Sequence, residues 1–193
     1  MKTTRLEAFS DGVIAILITI MVLELKIPEG PEWSAIGPVI PRFMTYVLSY
    51  MILGIYWNNH HHLLHACDRV SGAMLWANLH LLFWLSLVPF VTGWMDESHF
   101  ASIPTAAYGG ILMMAAIAYT ILVRTMIRTH GEQSRIARII GSDFKGYLSL
   151  AFYVAAIPLA FVRPWISHVI YVTVAVIWLV PDRRVERGLE HDS

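Results

Sequence analysis

RLEAFSDGVIAILITIMVLELKI, residues 5–27, is the stretch whose reading decides the fold. It is apolar enough to enter a membrane, yet Arg5, Glu7 and Asp11 stand near one end, Thr19 in the middle and Glu24 near the other. Ionisable groups within membrane segments are costly and usually face protein or water rather than hydrocarbon. The fully uncharged run, 12–23, is shorter than the ~20 apolar residues a lipid-bathed span needs. As a helix the whole stretch is nonetheless about 34 Å long at 1.5 Å per residue, enough to cross with its ends in the interfacial zones. A helix shielded by other protein is the expectation.

The rest of the chain has a matching composition. Of 193 residues, 56% are hydrophobic and 15% charged, and mean hydropathy is +0.57. Soluble domains carry about 25% charged residues, so a polytopic membrane protein is indicated. The formal net charge of +0 argues against nucleic-acid binding, which requires a strongly basic face. Cys67, the single cysteine, excludes an intramolecular disulfide. Glu7 and Asp11 lie where a signal peptide is basic, and no A-x-A site follows Leu23, so the segment is read as a retained first span.

Working outward, six apolar stretches are predicted as membrane helices: 8–25, 43–58, 73–91, 103–123, 147–162 and 165–180. Pro28, Pro31, Pro38 and Pro41 make 27–41 a short ordered loop or half-turn rather than a domain, and Arg163-Pro164 alone separates the last two stretches, which predicts a tight antiparallel hairpin. With both termini on one side, that side holds eleven Lys and Arg residues against three (Lys26, Arg42, Arg163) opposite. This positive-inside bias predicts cytoplasmic termini. The main cytoplasmic connection, 125–145, contains Ile136, Ile139 and Ile140 against Arg135 and Arg138, a short interfacial helix ended by Gly141. Trp94, Trp165 and Trp178 are placed to anchor span ends. No repeat or second domain is visible, so residues 1–193 form one unit.

At 100° per residue, Gly12, Ile16, Thr19, Ile20, Leu23 and Ile27 share one stripe of the first helix. Ala8, Asp11, Ala15, Ile18 and Val22 form a second, whose small residues permit close helix contact. This points Asp11 at a neighbouring helix. The Ile16 stripe suits either ordinary core packing or a pore lining, in which aliphatic side chains from several subunits form a hydrophobic constriction. Thr19 either lines that pore or bonds a carbonyl of its own helix.

The run Tyr56-Trp57-Asn58-Asn59-His60-His61-His62, with His65 beyond, raises a metal hypothesis. His61 and His65 stand at i, i+4, but no Glu follows the first His as H-E-x-x-H requires, and Asp68 and His80 are not at recognisable spacing for a third ligand. The simpler reading is polar groups bonding across helices, with Asn78 and His80 of the third span as partners; neither metal nor cofactor is expected. A proton-relay role for His80 finds no acidic residue deep in another span. The chain contains no G-x-S-x-G, P-loop or G-x-G-x-x-G, and Ser86 and Ser149 read as helix-contact residues.

Arg5-x-x-x-Phe9-Ser10-Asp11, followed by Gly12-Val13-Ile14-Ala15-Ile16, resembles the R-x-x-x-F-S-D signature of the transmembrane protein 175 potassium-channel family. Tyr56-Trp57-x-Asn59-His60-His61, Leu87-Val88-Pro89-Phe90 at the expected end of the third span, and Trp178-x-x-Pro181-Asp182-Arg183-Arg184 match as well. The resemblance implies a potassium-selective leak channel without the T-V-G-Y-G filter. Its prokaryotic members are single six-helix units assembled as tetramers, whereas animal relatives carry two such units per chain. By position, Ile16 becomes the narrowest point, with Thr19 one turn on, where the family places a hydroxyl linked to selectivity, and Leu23 beyond. Arg5, Phe9, Ser10 and Asp11, with Trp57, His60, His61 and Asn78, become the network that fixes the first helix. His62 and His65 are left without a role.

The resulting expectation is an all-α, six-transmembrane-helix subunit of a homotetramer in a prokaryotic cell membrane, both termini cytoplasmic, passing K+ through a central pore lined by the first helix. Its partners are K+, the lipid bilayer and copies of itself, and it is not an enzyme. A His-rich membrane metalloenzyme and a proton-coupled transporter are the rivals. The first helix lacks the Gly or Pro interruption common at transporter binding sites.

Overall fold

A computed structural model of the protein describes residues 3–140 and 143–179, and every regular element among them is helical. α1 (Thr3–Leu23) leads through an irregular stretch and a 3-10 helix (Trp33–Val39) into α2 (Ile40–His65). α3 (Gly72–Ser86) and α4 (Val88–Glu97) form one broken rod, followed by α5 (Ser102–His130), the short α6 (Arg135–Ile140), α7 (Phe144–Val162) and α8 (Pro164–Leu179). Five segments are long and apolar enough to cross a membrane: Thr3–Leu23, Trp33–His65, Gly72–Glu97, Ser102–His130 and Phe144–Val162. α8 is apolar, but its 16 described residues span only about 24 Å.

The helices outrun the hydropathy that reveals them. α2 continues to His65 and α5 to His130, each about two turns beyond the apolar stretch inside it. A helix satisfies its backbone internally, so it extends into water without loss while hydropathy registers only the part beside lipid. Gly131 ends α5 at φ 96°, a backbone conformation that favours glycine, and Arg69 Nη2 donates to Thr129 O in the last turn.

Proline positions correct two expectations. Leu87–Phe90 is not the end of the third stretch: the helix breaks at Leu87, Pro89 sits in the first turn of α4, where its missing N–H is harmless, and the rod runs on to Glu97. Residues 27–41 are likewise more than a loop, since Pro38 lies within the 3-10 helix and Pro41 opens α2. A short helix, α6, forms where the sequence predicted one; Gly141 and the 181–184 motif lie outside the described residues.

α5 is the central post, packing against α3, α4, α7 and α8. Buried hydroxyls tie these rods together, as expected where lipid supplies no hydrophobic force between helices. Ser49 Oγ lies 2.8 Å from Thr92 Oγ1 and 2.9 Å from Tyr108 Oη, joining α2, α4 and α5. Tyr171 Oη donates to Thr105 O (2.9 Å), crossing over Gly109, where a Cβ would overlap the phenol. The α7–α8 hairpin forms as predicted, with Ser167 Oγ donating to Ala156 O (2.7 Å). Trp178 is partly buried, and its indole N–H donates to Ser149 Oγ (2.8 Å). Beyond α2, burial and the neighbouring Asp68 carboxylate push the Cys67 thiol up to about 11.

α1 lies on the rim against α2, α3 and α4. It packs there through Leu6, Ser10, Ile14, Leu17 and Met21, all buried. These residues belong to neither stripe read from the sequence. At 100° per residue the Ile16 stripe, this buried stripe and the Ala8–Asp11–Ala15–Ile18–Val22 stripe are centred about 120° apart. Ala8, Ala15 and Val22 are exposed and only Asp11 and Ile18 are half-buried, so the second stripe is not the one that seats α1 in its own subunit. Packing within one chain uses a third face that is apolar apart from Ser10, which composition alone does not distinguish from the Ile16 stripe.

Candidate functional site

Two sets of side chains on α1 define the site: an outward stripe, and a polar set that locks the helix to α2 and α3. On the outward stripe Ile16 is 58% and Leu23 80% exposed, Thr19 and Ile20 are exposed, and a Cβ on Gly12 would meet nothing within 4 Å. Thr19 Oγ1 donates to Ile16 O of its own helix (2.9 Å), one residue nearer than the i−4 carbonyl. The hydroxyl proton is thereby held, which leaves the exposed oxygen free to accept.

The inward set is a directional chain. His60 and Asn78 are fully buried, with His60 Nε2 2.6 Å from Asn78 Oδ1; because a carbonyl oxygen only accepts, Nε2 carries the proton. Asn78 Nδ2 donates to Ser10 Oγ (3.0 Å), and Ser10 Oγ donates to Leu6 O (2.9 Å). One residue from each of α1, α2 and α3 is thus linked in series, and His60 Nδ1, like Asp96 Oδ1 elsewhere, is buried without a partner among the described residues.

A second ladder runs along the α1–α2 contact. Trp57 Nε1 donates to Asp11 Oδ1 (3.0 Å), and one turn back along α1 Glu7 Oε1 meets His61 Nδ1 (2.9 Å) and His65 Nε2 (3.3 Å). The helices run antiparallel, so stepping from Asp11 back to Glu7 pairs with stepping from Trp57 forward to His61. Trp57 and His61 rings stack in parallel with this, centroids 6.1 Å apart. At the opposite end of α1, Lys26 pairs with Glu97 of α4.

The structure therefore brings Ser10, Asp11, Trp57, His60, His61 and Asn78 together. It does not bring Arg5 to Asp11: no ion pair joins them among the described residues, and six residues apart they point about 120° away from each other on one helix. Arg5 and Phe9 are exposed, turned toward the Ile16 side of the helix. His80 is occupied locally, its Nε2 accepting from Trp84 Nε1 (2.9 Å). Glu7 is the residue that sequence reasoning passed over. Its signal was the match between two four-residue spacings, Glu7/Asp11 and Trp57/His61/His65, visible only once α2 is known to extend to His65.

The comparisons with known proteins cover this same region. The family profile described as "Endosomal/lysosomal potassium channel TMEM175" matches residues 5–89, from Arg5 to the α4 hinge. A potassium channel of Chryseobacterium sp. (strain P1-3) is 55% identical over the full length of both chains. A zebrafish (Danio rerio) endosomal/lysosomal proton channel TMEM175 is 25% identical over 66% of this chain and 24% of its own. Among solved structures, the crystal structure of a lysosomal potassium-selective channel TMEM175 homolog from Chamaesiphon minutus superposes with a TM-score of 0.76 at 26% identity, covering 92% of this chain and 96% of that one. With its signature residues gathered around α1 and a full-length relative at this identity, the chain belongs to the TMEM175 potassium-channel family.

Proposed function

We propose that this membrane protein is a potassium-selective channel whose pore is formed where four copies of α1 meet around an axis. The observation that carries the reading is the division of α1 into three faces about 120° apart. One is buried in the subunit, one is lined with small residues at Ala8 and Ala15, and one presents Gly12, Ile16, Thr19 and Leu23 outward. A helix in a four-fold ring meets its own subunit, a neighbouring subunit and the axis, which is three environments. The uncharged run 12–23, too short for a lipid-bathed span, then needs no lipid on its inner side.

In this arrangement four Ile16 side chains form the narrowest point, and K+ passes it either partly dehydrated or in a hydrated, dewetting-prone constriction. Four Thr19 oxygens, their protons held by Ile16 O, offer lone pairs to the ion one turn beyond. The family relation makes this a channel and not an enzyme. We further propose six spans, with α8 as the sixth, in a cell membrane with both termini cytoplasmic, following the eleven-to-three distribution of Lys and Arg.

The test is K+ flux in proteoliposomes, with reversal potentials under K+, Na+ and H+ gradients. A reversal potential following K+ is expected, Ile16→Ala raising flux at least several-fold and Ile16→Trp abolishing it. Unchanged currents in both variants overturn the pore assignment, and a reversal potential following H+ overturns the K+ reading.

A further inference from the structure

We propose that Glu7, His61 and His65 form a binding site for a transition-metal dication of the zinc type, clamping α1 to the cytoplasm-proximal extension of α2. Three ligand-type atoms from two helices converge there: Glu7 Oε1, His61 Nδ1 and His65 Nε2 lie within 4.8 Å of one another. Both imidazoles address the same carboxylate oxygen, at 2.9 and 3.3 Å, with ring centroids 4.3 Å apart. In a tetrahedral zinc site, bonds of about 2.0–2.1 Å put neighbouring ligand atoms roughly 3.3 Å apart. The trio therefore already stands near the edges of such a tetrahedron, and small rotamer adjustments admit an ion.

The ligand set also selects the metal. Two imidazoles and one carboxylate suit Zn2+, Co2+, Ni2+ or Cu2+, whereas Mg2+ and Ca2+ take oxygen ligands. His61 and His65 are placed at i, i+4 on the part of α2 that extends past its apolar stretch, and the His65 side chain is 58% exposed, which opens a path of entry. Three protein ligands leave the fourth position to water. His62, adjacent in sequence, is not part of the trio and serves as the internal control. The site depends only on the α1–α2 contact within one chain and holds whether or not α1 lines a pore.

The experiment is a titration of purified full-length protein with Co2+, followed by its visible d–d absorption, then displacement by Zn2+. An intense tetrahedral spectrum saturating at one Co2+ per chain, displaced by stoichiometric Zn2+ and unaffected by millimolar Mg2+, is expected. His65→Ala and Glu7→Gln should each weaken binding more than about 100-fold, beyond the loss from an outer-shell partner, while His62→Ala leaves it within about threefold. His65 is exposed, so its variant keeps the fold even where Glu7→Gln disturbs the helix contact; elution on size exclusion checks both. A weak octahedral spectrum, binding undiminished in His65→Ala, or equal loss in His62→Ala overturns the proposal.

Discussion

At the residue scale, geometry separates groups that looked equivalent in sequence. Thr19 and Ser10 are both hydroxyls on α1, yet Ser10 is buried and accepts from Asn78 while Thr19 faces outward with its proton already donated. If Thr19 oxygens replace part of the hydration shell of K+, Thr19→Val, which keeps the shape and removes the oxygen, lowers the K+/Na+ permeability ratio several-fold. Bi-ionic reversal potentials measure this, and an unshifted value assigns the hydroxyl to the helix alone. Asn78 is the opposite case: Asn78→Leu strands the His60 Nε2–H in an apolar contact and should destabilise the fold by ~1–3 kcal/mol, because a buried donor loses its partner. Ser10 suffers less, since it still donates to Leu6 O. Thermal unfolding in detergent reports the difference, and Asn78→Asp, which retains the acceptor, should recover part of it.

At the element scale, what matters is how helices meet. The six apolar stretches were predicted as helices, and the element type held for each of them within the described residues. Boundaries and contact faces did not follow from it. The ends of α2 and α5 were missed because hydropathy marks the lipid-facing length of a helix, and the third stretch was ended at 91 on the same ground although the rod continues through the Pro89 turn to Glu97. The α5–α8 contact could not be read at all, because it depends on the absence of a side chain at Gly109 beneath the Tyr171 phenol. Gly109→Ala should push that ring aside and break its bond to Thr105 O, lowering the unfolding midpoint by several degrees, equivalent to roughly 1–3 kcal/mol of overpacking. Gly110→Ala, with nothing within 4 Å of its Cβ, should leave the midpoint unchanged.

At the scale of the whole molecule, the tetramer proposal assigns the exposed face of α1 to the assembly. A single chain leaves Ile16 and Leu23 uncovered on a segment whose uncharged core is too short for lipid, and the proposed assembly is what would cover them. Four 21.9 kDa chains, about 88 kDa in a closed ring, should be the protein mass measured by light scattering in mild detergent. Ala15→Trp, on the small-residue face, should shift that mass toward a single chain while leaving the helix content unchanged; retention of the full mass moves the neighbour contact elsewhere.

The amino-acid sequence by itself determined the membrane class, the helical elements, the two angular stripes on α1 and the signature residues that carry the family. All of these are local properties, set by composition, period and the order of side chains along one helix. Tertiary structure alone decided which of three faces seats α1 in its subunit, that Arg5 and Asp11 point apart, and that Glu7 meets His61 and His65. A helix's period fixes the angles between its own residues but carries no information about the register of its neighbour. Only when antiparallel α1 and α2 dock does a four-residue spacing on one find its match on the other.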